Sequence, residues 1–408
     1  MTSLSLWSAT ATVPRHDPLR GAIDVDVAII GAGITGLTAA LLLQERGRSV
    51  AVLEKAAVGG GESGNTTAHL TAAIDARYHY VRRKYSADDA RLVAEAGSAS
   101  LEKIAELVRT HSIACRFRRV PGYLYTEHRK SVAELKSELS AAREAGLDVQ
   151  WTPAAPLPFE NRGAVVFANQ AQFHPREYLH ALAGVLARGG ARIYERTLVT
   201  GVKKGEVTAE GGRVSAGAIF MATDVPVSGF THVLTKIAAY RTYAMAFEVE
   251  GEHSDGLFWD TADPYHYTRW QDTDEGTFLI VGGEDHRVGE AGDTEACFAK
   301  LLAYARDRFR VRKPRYQWSG QVIEPHGGLP LIGGSDGIYI STGYSGEGMT
   351  FGTLGAMLIA DEITGVENRW KDVFSHTRAI PDMTSREFIT DMTAPPRAHA
   401  ARAYTVGG

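Results

Sequence analysis

Hydrophobic positions near the start of the chain change from strand-like to helix-like spacing across three glycines. Residues 25–30, VDVAII, form a short β-branched run that is typical of a strand buried in a parallel sheet. Apolar residues then recur with a helical period over 34–46, and a second β-branched run follows at 50–53. The pattern predicts a strand, a glycine turn, a helix and a second parallel strand, which together make one βαβ unit over 25–54.

The remaining chain alternates between helical and extended spacing. Further helices are predicted at 88–110, 131–145, 174–188 and 294–309, and a helix that opens with glycines is predicted within 346–365. Extended segments are predicted at 115–126, 191–202, 214–224, 328–333 and 337–342. Between them, residues 237–282 contain several strand-like runs separated by Gly, Asp and Pro turns, which is typical of an antiparallel sheet.

Charge and cysteine content narrow the class of partner. The chain has 44 Lys and Arg against 48 Asp and Glu and no dense basic block, which argues against a nucleic-acid or anionic-membrane partner and favours a small substrate. Cys115 and Cys297 are the two cysteines, so we expect neither a disulfide scaffold nor a Cys-based metal site, and we predict a cytoplasmic protein. The sequence pattern predicts neither a signal peptide nor a membrane span.

The glycine turn has the chemistry of a diphosphate site. Backbone N–H groups at a helix N-terminus bind anions, and the three glycines have distinct roles. Gly31 permits the tight turn, Gly33 lets the backbone approach the phosphates, and Gly36 lets the helix pack against the strand. Glu54, at the end of the second strand, is placed to accept the ribose hydroxyls of an adenine nucleotide. These residues do not distinguish NAD from FAD.

Four segments of the chain resemble the FAD-dependent oxidoreductases of the glycine oxidase and D-amino-acid oxidase superfamily. These segments are VDVAIIGAGITGLTAALLLQERGRSVAVLEK, GESGNTTAH, GAIFMATD and GLPLIG…IYISTGYSGEGMTFGTLGAMLIADEITG, and they span about 24–366. The TTAHLTA and WSGQ details resemble the branch that often carries a C-terminal Rieske iron–sulfur domain. The resemblance implies FAD as the cofactor and no bound metal in this chain, because residues after 366 contain no cysteine for a cluster. The end of the sequence leaves open whether such a module follows.

The resemblance also implies a fold class and a division into domains. We predict an α/β fold whose substrate part is α+β, with a Rossmann-like FAD-binding domain and an antiparallel-sheet substrate domain. The FAD-binding domain is assembled from 25–85, 150–225 and 325–366, the substrate domain comprises 86–149 and 226–324, and the extensions are 1–24 and 367–408.

Cofactor contacts are carried over from the same resemblance. They place the diphosphate at the glycine turn, the ribose at the end of the second strand, the ribityl chain along the hydroxyl-rich loop and the adenine beside two later strands. The flavin pyrimidine edge is expected at the N-terminus of the last helix, where N–H donors favour the reduced ring. The residues are Gly31, Gly33, Ile34, Thr35, Gly36, Glu54, Lys55, Ser63, Gly64, Asn65, Thr66, Thr67, Val199, Ala222, Thr223, Gly346, Glu347, Gly348, Met349 and Thr350.

One departure from the family bears on the substrate. Amino-acid oxidases of the superfamily commonly supply a carboxylate-binding arginine from the tryptophan-containing strand, but this chain has Gln321 and Val322 there. A bidentate anchor from that strand is therefore absent. Arg241 or Arg269 could bind the substrate carboxylate from another strand, but either residue could instead be an ordinary surface charge.

Candidates for the chemistry lie on the strand YHYTRW. Tyr265, Tyr267 and Arg269 share one face, which we predict to face the flavin because it combines aromatic rings with polar tips. Tyr243 and Met245 are predicted to form an adjoining substrate wall, with an ordinary hydrophobic core as the alternative.

The predicted catalytic residues are Tyr267, Arg269 and His69, and Tyr265 is predicted to bind the substrate with Tyr243 and Met245. His69 lies near the position where some relatives attach flavin covalently through histidine. Covalent attachment, a polar role beside the flavin and an ordinary buried histidine stay open for this residue.

The predicted function is hydride transfer from a small amine or amino-acid-like substrate to flavin N5, followed by reoxidation by oxygen or an electron-acceptor protein. The alternative is a flavin-carrying electron-transfer subunit of a larger complex. A nicotinamide-dependent flavin reductase is disfavoured, since the sequence shows no second glycine fingerprint.

Overall fold

A computed structural model describes residues 2–12, 14–251, 253–289 and 293–380. The strands in these ranges are β1 (Thr2–Ser3), β2 (Gly21–Ile30), β3 (Val50–Leu53), β4 (His69–Leu70), β5 (Arg118–Tyr125), β6 (Val149–Thr152), β7 (Ala164–Gln172), β8 (Arg192–Tyr194), β9 (Val199–Lys203), β10 (Glu206–Ala209), β11 (Gly212–Met221), β12 (Ile237–Val249), β13 (Leu257–Trp259), β14 (His266–Thr273), β15 (Gly276–Arg287), β16 (Tyr316–Pro325), β17 (Leu331–Ser335) and β18 (Ile338–Thr342).

The α-helices in the same ranges are α1 (Leu6–Thr10), α2 (Ile34–Glu45), α3 (Tyr78–Lys84), α4 (Ala87–Thr110), α5 (Val132–Glu144), α6 (Pro175–Arg188), α7 (Thr231–Leu234), α8 (Thr294–Phe309), α9 (Gly348–Thr364) and α10 (Lys371–Phe374). The predicted helices and extended segments agree with this list within a few residues at each end. The mixed α/β fold class is therefore confirmed.

The first sheet has the order β17-β18-β11-β2-β3-β8, with the β9–β10 ribbon attached to β11, and we call it the parallel sheet. Strand β2 pairs in parallel with both β3 and β11, so that Ile30 lies opposite Leu53 on one side and Met221 on the other. The carboxyl ends of these three strands meet at one edge, where open α/β sheets bind their ligands. We call this edge the carboxyl edge.

Helix α2 packs between the parallel sheet and α9. All its residues from Ile34 to Leu43 are buried, which is the expected environment for a helix that is apolar on every side. This burial fixes the N-terminus of α2 directly behind the carboxyl edge.

The second sheet is the large sheet, with the order β1-β16-β12-β15-β14-β13-β5-β7-β4 and with β6 paired to β7. Its β12–β15 and β14–β15 pairs are antiparallel, as expected for 237–282. One face packs towards the parallel sheet and the other is covered by α8. Segment 150–225 thus supplies β7 to the large sheet and β8 to the parallel sheet. The domain boundaries given above stay predictions.

A short N-terminal helix, α1, joins the two sheets and was not predicted. Its Leu6 and Trp7 are fully buried, and the Trp7 indole Nε1 donates to the carbonyl of Thr66 at 2.6 Å. Five residues are too short a segment for hydrophobic periodicity to identify a helix.

None of the helices in the described ranges has the length and the apolar character that crossing a lipid bilayer requires.

A buried histidine lies between two carboxylates on the α8 side of the large sheet. His266 stacks on Tyr304 with 3.8 Å between ring centroids and lies 3.3 Å from Asp260 and 3.4 Å from Glu284. Burial lowers the pKa of His266, but the hydrogen bonds to Asp260 and Glu284 outweigh burial and raise the pKa to about 9.

Replacing His266 should flatten the pH dependence of folding stability. Because the folded-state pKa of about 9 exceeds the ordinary 6.5, the charged ring stabilises the fold fully below pH 6.5, and this stability is lost as the pH rises through 9. Between pH 6.5 and pH 9, the free energy of unfolding of the wild type should fall by about 2–3 kcal/mol more than that of His266→Gln. Urea unfolding at these two pH values measures the difference, with His286→Gln as the control. Parallel pH profiles for wild type and His266→Gln would contradict this account of the cluster.

Candidate active site

A cavity of about 500 Å³ begins at the carboxyl edge and extends to the large sheet. The turns after β2, β3 and β11 line one end, and residues of β12, β14 and β16 line the other. The predicted cofactor and catalytic residues that line it are Gly31, Gly33, Ile34, Thr35, Glu54, Lys55, Ser63, Asn65, Thr66, Thr67, His69, Val199, Ala222, Thr223, Tyr265, Tyr267, Gly346, Glu347, Gly348 and Met349.

At two of the three glycines in the turn, a neighbouring backbone carbonyl leaves no room for a side chain. Gly31 has φ +106°, and a Cβ there would lie 2.4 Å from the carbonyl oxygen of Ala222. A Cβ on Gly36 would lie 2.0 Å from the carbonyl oxygen of Gly31. Gly36 therefore does not line the cavity, and its role is to let α2 pack against the turn.

Gly33 differs from these two glycines because its missing side chain faces the cavity. A Cβ there would lie 2.9 Å from Ser63 Oγ and meet no backbone atom within 4 Å. Gly33 is also the N-cap of α2 and provides no side-chain cap, and the N–H of Ile34 donates to Ser63 Oγ at 3.0 Å. The first turn of α2 thus presents main-chain donors and the positive end of the helix dipole to the cavity.

Glu54 is held rigidly beside the turn. Its Oε2 accepts from the N–H of Ala32 at 2.9 Å, and its Oε1 accepts from the N–H of Ala56 at 2.8 Å. Each carboxylate oxygen keeps a further acceptor site, which suits a pair of ribose hydroxyls. Lys55 lines the same part of the cavity.

Two buried indoles hold the loop that follows β3. Trp7 Nε1 donates to the carbonyl of Thr66, and Trp318 Nε1 donates to the carbonyl of Asn65 at 2.8 Å. Gly64 packs into the loop, because a Cβ there would lie 2.1 Å from the carbonyl oxygen of Gly59. Gly64 itself does not line the cavity.

Two tyrosines form the wall on the large sheet. The ring of Tyr267 lies directly over Gly282, where an added Cβ would be 2.1 Å from Tyr267 Cε2, and its hydroxyl lies 2.6 Å from Thr242 Oγ1. The Tyr265 ring lies 5.6 Å from the Tyr267 ring, and its hydroxyl donates to Asp75 Oδ2 at 3.4 Å. Burial raises the pKa of both phenols, so both stay protonated near neutral pH.

His69 meets this wall edge-on. Its ring centroid lies 5.8 Å from that of Tyr267, and its Nδ1 lies 3.1 Å from Thr67 Oγ1. Its Nε2 has no hydrogen-bond partner within the described ranges. Burial, reinforced by the charge of Arg269, lowers the pKa of His69 to about 3. The ring is therefore neutral at physiological pH, although a hydrogen bond to the Thr268 backbone opposes the shift.

Helix α9 begins at the same cavity. Gly346 has φ +88°, and Glu347 is the N-cap residue, with Oε1 accepting from the N–H of Asp75. Thr350 points away from the cavity, since its Oγ1 donates to the carbonyl of Thr71 at 2.9 Å.

The structure corrects the placement of Arg269. This side chain is fully buried and does not line the cavity. Its Nη2 donates to the carbonyl of Phe173 at 3.2 Å and to Gln271 Oε1 at 2.6 Å, and its guanidinium lies over the Trp7 ring. It shares a strand face with Tyr267, but it lies further along the strand, where α1 covers it. The alternative carboxylate anchor, Arg241, donates to Ser319 Oγ at 3.0 Å and does not line the cavity either.

The structure also corrects the predicted wall of Tyr243 and Met245. Both side chains point to the α8 side of the large sheet, where the Tyr243 hydroxyl lies 2.8 Å from His286 Nε2. Thr242, one residue before Tyr243, faces the cavity instead. The hydrophobic-core alternative therefore applies to Tyr243 and Met245.

Several cavity residues were not predicted to contact a ligand. Gln321 lines the cavity, its backbone N–H donates to Glu62 Oε2 at 2.6 Å, and its Nε2 donates to Asp224 Oδ2 at 3.1 Å. Asp75 also lines the cavity. Of these residues, only Gln321 could have been suspected from the sequence, because it stands where amino-acid oxidases of the superfamily commonly have a carboxylate-binding arginine. Asp75 lies in a segment without a motif.

Comparison with known proteins identifies this architecture. The family described as FAD dependent oxidoreductase (DAO) matches residues 26–362. The chain is 29% identical over 381 residues to YhfW of Bacillus subtilis, which is provisionally named a Rieske 2Fe-2S iron-sulfur protein, covering 91% of this chain and 75% of that protein. It is 25% identical over 414 residues to gamma-glutamylputrescine oxidoreductase of Escherichia coli, covering 97% of this chain and 96% of that protein.

A solved structure of similar fold is that of glycine oxidase from Geobacillus kaustophilus. The TM-score is 0.75 at 19% identity, covering 88% of this chain and 99% of the other. FAD is thus the cofactor of this chain, and the cavity fits it. A side chain at Gly33 would fill the space in front of the first turn of α2, which we call the diphosphate cradle. Helix α2 supplies main-chain donors to this cradle, and Glu54 keeps acceptor sites for a ribose.

Gly33→Val should abolish FAD binding and leave the polypeptide folded. The added side chain enters the space beside Ser63 Oγ, which belongs to the diphosphate cradle, and meets no backbone atom within 4 Å. The purified variant should lack visible flavin absorbance while its far-ultraviolet circular dichroism matches that of apoprotein.

The matched control is Gly184→Val in α6, where an added Cβ meets only Arg188 NH1, at 3.4 Å. This variant should keep its flavin. Stoichiometric FAD in Gly33→Val would contradict the assignment of the cradle.

Proposed function

The chain belongs to the family of FAD-dependent oxidoreductases, and from that membership we propose that it oxidises the carbon–nitrogen bond of a small amine that has no α-carboxylate. The single observation that supports the amine is the charge of the cavity wall. Within the described ranges, the acidic residues lining it are Glu54, Glu62, Asp75, Asp224 and Glu347, and no arginine lines it.

An α-amino acid would need a partner for its carboxylate in this cavity. Carboxylates are usually bound by a bidentate arginine, and a buried carboxylate without a partner is costly. Lys55 is the one lysine lining the described cavity, and it is next to Glu54, at the end assigned to the ribose. Arg241 and Arg269 have other hydrogen-bond partners. An amine substrate fits this distribution of charge and an amino acid does not.

FAD, when bound, supplies a hydride acceptor for the C–H bond next to the substrate nitrogen and returns the electrons to oxygen or to an electron-acceptor protein. The residues of the chain position the substrate. Tyr265 and Tyr267 provide an aromatic wall that excludes water, and their phenols stay neutral because burial raises their pKa.

His69 is proposed to act as a neutral polar group beside the cofactor. Its low pKa means that it does not repel an approaching ammonium at physiological pH, and its Nε2, which lacks a partner among described residues, can hydrogen-bond a ligand. The cytoplasmic location also stays a prediction.

The alternative function is that of an electron-transfer subunit without its own substrate. Such a subunit needs no substrate pocket, so the aromatic wall of Tyr265 and Tyr267 in the cavity favours the enzyme.

Amines should reduce the bound flavin faster than amino acids of the same side chain. We expect anaerobic mixing of the holoprotein with propylamine or butylamine to bleach the visible flavin band, and 2-aminobutanoate to bleach it at least about 10-fold more slowly, because one unpaired charged group costs more than about 1.4 kcal/mol.

Stopped-flow absorbance measures both rates, and dithionite serves as the positive control for reducibility. Faster bleaching by the amino acid would contradict the proposed substrate class. Bleaching by dithionite alone would contradict the amine-oxidising function and favour the electron-transfer subunit.

A further inference from the structure

We propose that Asp75 and Glu347 form a binding site for a second ammonium group of the substrate, so that the enzyme prefers diamines to monoamines. This inference rests on the proposed amine-oxidising function and deepens it. The two carboxylates line the cavity next to the tyrosine wall.

Glu347 presents a carboxylate whose backbone donors are the N–H groups of Asp75 and of Glu347 itself. The residue is 7% exposed, its Oε1 accepts from the N–H of Asp75, and its Oε2 is buried without a hydrogen-bond partner in the described ranges. A buried carboxylate oxygen left without a donor costs more than one that is paired. Because Glu347 lines the cavity, a bound ligand can provide the missing donor.

Asp75 lies beside Glu347 on the cavity wall, and its backbone N–H is the donor to Glu347 Oε1. Its Oδ2 accepts from the Tyr265 hydroxyl, and a Cβ on Gly346 would lie only 3.2 Å from this oxygen. The glycine before Glu347 therefore leaves room for the Asp75 carboxylate. The two acidic residues are therefore neighbours on the cavity wall, and we infer that a single cation can contact both.

A β-bulge adds a third carboxyl group nearby. The β12–β15 register shifts between Arg241 and Tyr243, and Gly283 and Glu284 have φ values of +145° and +59°. The extra residue reverses the facing of the next side chain, so that Asp285 points to the cavity side of the sheet. Asp285 lies beside the hydroxyls of Thr242 and Tyr265, which hydrogen-bond its carboxyl group, although its Oδ1 has no partner among the described residues.

The charges of this acidic group are poorly compensated within the described protein. Burial, followed by repulsion from Asp75, raises the pKa of Glu347. Burial and repulsion from Asp75 also raise the pKa of Asp285 to about 7. Burial and repulsion from Asp285 and Asp75 raise the pKa of Glu324, on the neighbouring part of β16, to about 8. Arg77 opposes the shifts of Asp75 and Glu347 and does not reverse them.

An ammonium group matches this environment better than a neutral donor or a metal ion. It carries three N–H donors on a compact positive charge, so it can hydrogen-bond both carboxylates and reduce their repulsion. A single neutral N–H, such as one on the flavin, would satisfy Glu347 Oε2 and leave the repulsion unchanged. No group of three metal-ligating side chains able to hold an ion is found among residues 2–12, 14–251, 253–289 and 293–380.

The acidic site is adjacent to the wall assigned to the reacting end. Tyr265 contacts Asp75 through its hydroxyl, and its ring is 5.6 Å from that of Tyr267. A short alkyl chain can therefore lie along the two rings with one nitrogen at the acidic site and the other beside Tyr267 and His69. The expected substrates are α,ω-diamines or other amines with a second cationic group.

The test compares diaminobutane with butylamine as reductants of the holoenzyme under anaerobic conditions. Stopped-flow absorbance gives the rate of flavin reduction and the apparent Kd for each amine. Wild type should favour diaminobutane at least about 30-fold in reduction rate over Kd, since removing one partner of a buried charged contact costs at least 2 kcal/mol. Most of the preference should appear in Kd.

Glu347→Gln and Asp75→Asn should each reduce this preference at least about 10-fold, because the amide cannot offset the ammonium charge. Glu284→Gln is the matched control. It removes a buried carboxylate that faces His266 and Lys300 on the α8 side, and it should keep the wild-type ratio. The flavin content and the unliganded flavin spectrum of each variant are recorded alongside.

Each outcome separates this inference from the proposed function. If both amines reduce the wild-type flavin equally well, the diamine site is wrong and amine oxidation stands. If neither amine reduces it, the proposed function fails first. If Glu347→Gln and Asp75→Asn change flavin content or spectrum while the diamine preference is unchanged, the carboxylates serve the cofactor, and the inference is overturned.

Discussion

The close approach of three backbone segments behind β2 is the constraint on which the rest of the structure depends. The turn at Gly31 touches the main chain of Ala222, and α2 at Gly36 touches the carbonyl of Gly31. These contacts leave no space for side chains, so main-chain amides and a helix dipole are what the turn can offer to a ligand. Glu54 adds a fixed carboxylate at the same edge. A dinucleotide is the ligand class that this combination suits.

The large sheet closes the cavity from the other side. Trp7 and Trp318 fix the carbonyls of the loop at Thr66 and Asn65, and the tyrosine wall on β14 faces that loop. The cofactor site and the substrate wall are therefore joined by buried hydrogen bonds and not by a flexible linker. The same wall borders the proposed ammonium site, since the Tyr265 hydroxyl donates to Asp75.

Periodicity and the glycine fingerprint predicted most of the elements and the cradle, because each depends on local sequence. The facing of β12 could not be predicted, since Tyr243, Met245 and the residues between them are apolar on both faces and alternation does not orient them. Arg269 shares a strand face with Tyr267, and only the tertiary contact with α1 shows that it is covered. The acidic site likewise depends on non-local contacts and on a bulge that no sequence pattern marks.

A crystal structure of the purified protein tests the central claim most directly. We expect one FAD per chain, with its diphosphate within hydrogen-bonding distance of the main-chain N–H groups in the first turn of α2 and with its ring system against Tyr267. A turn filled by protein side chains, or one occupied by a nicotinamide dinucleotide alone, would contradict the account.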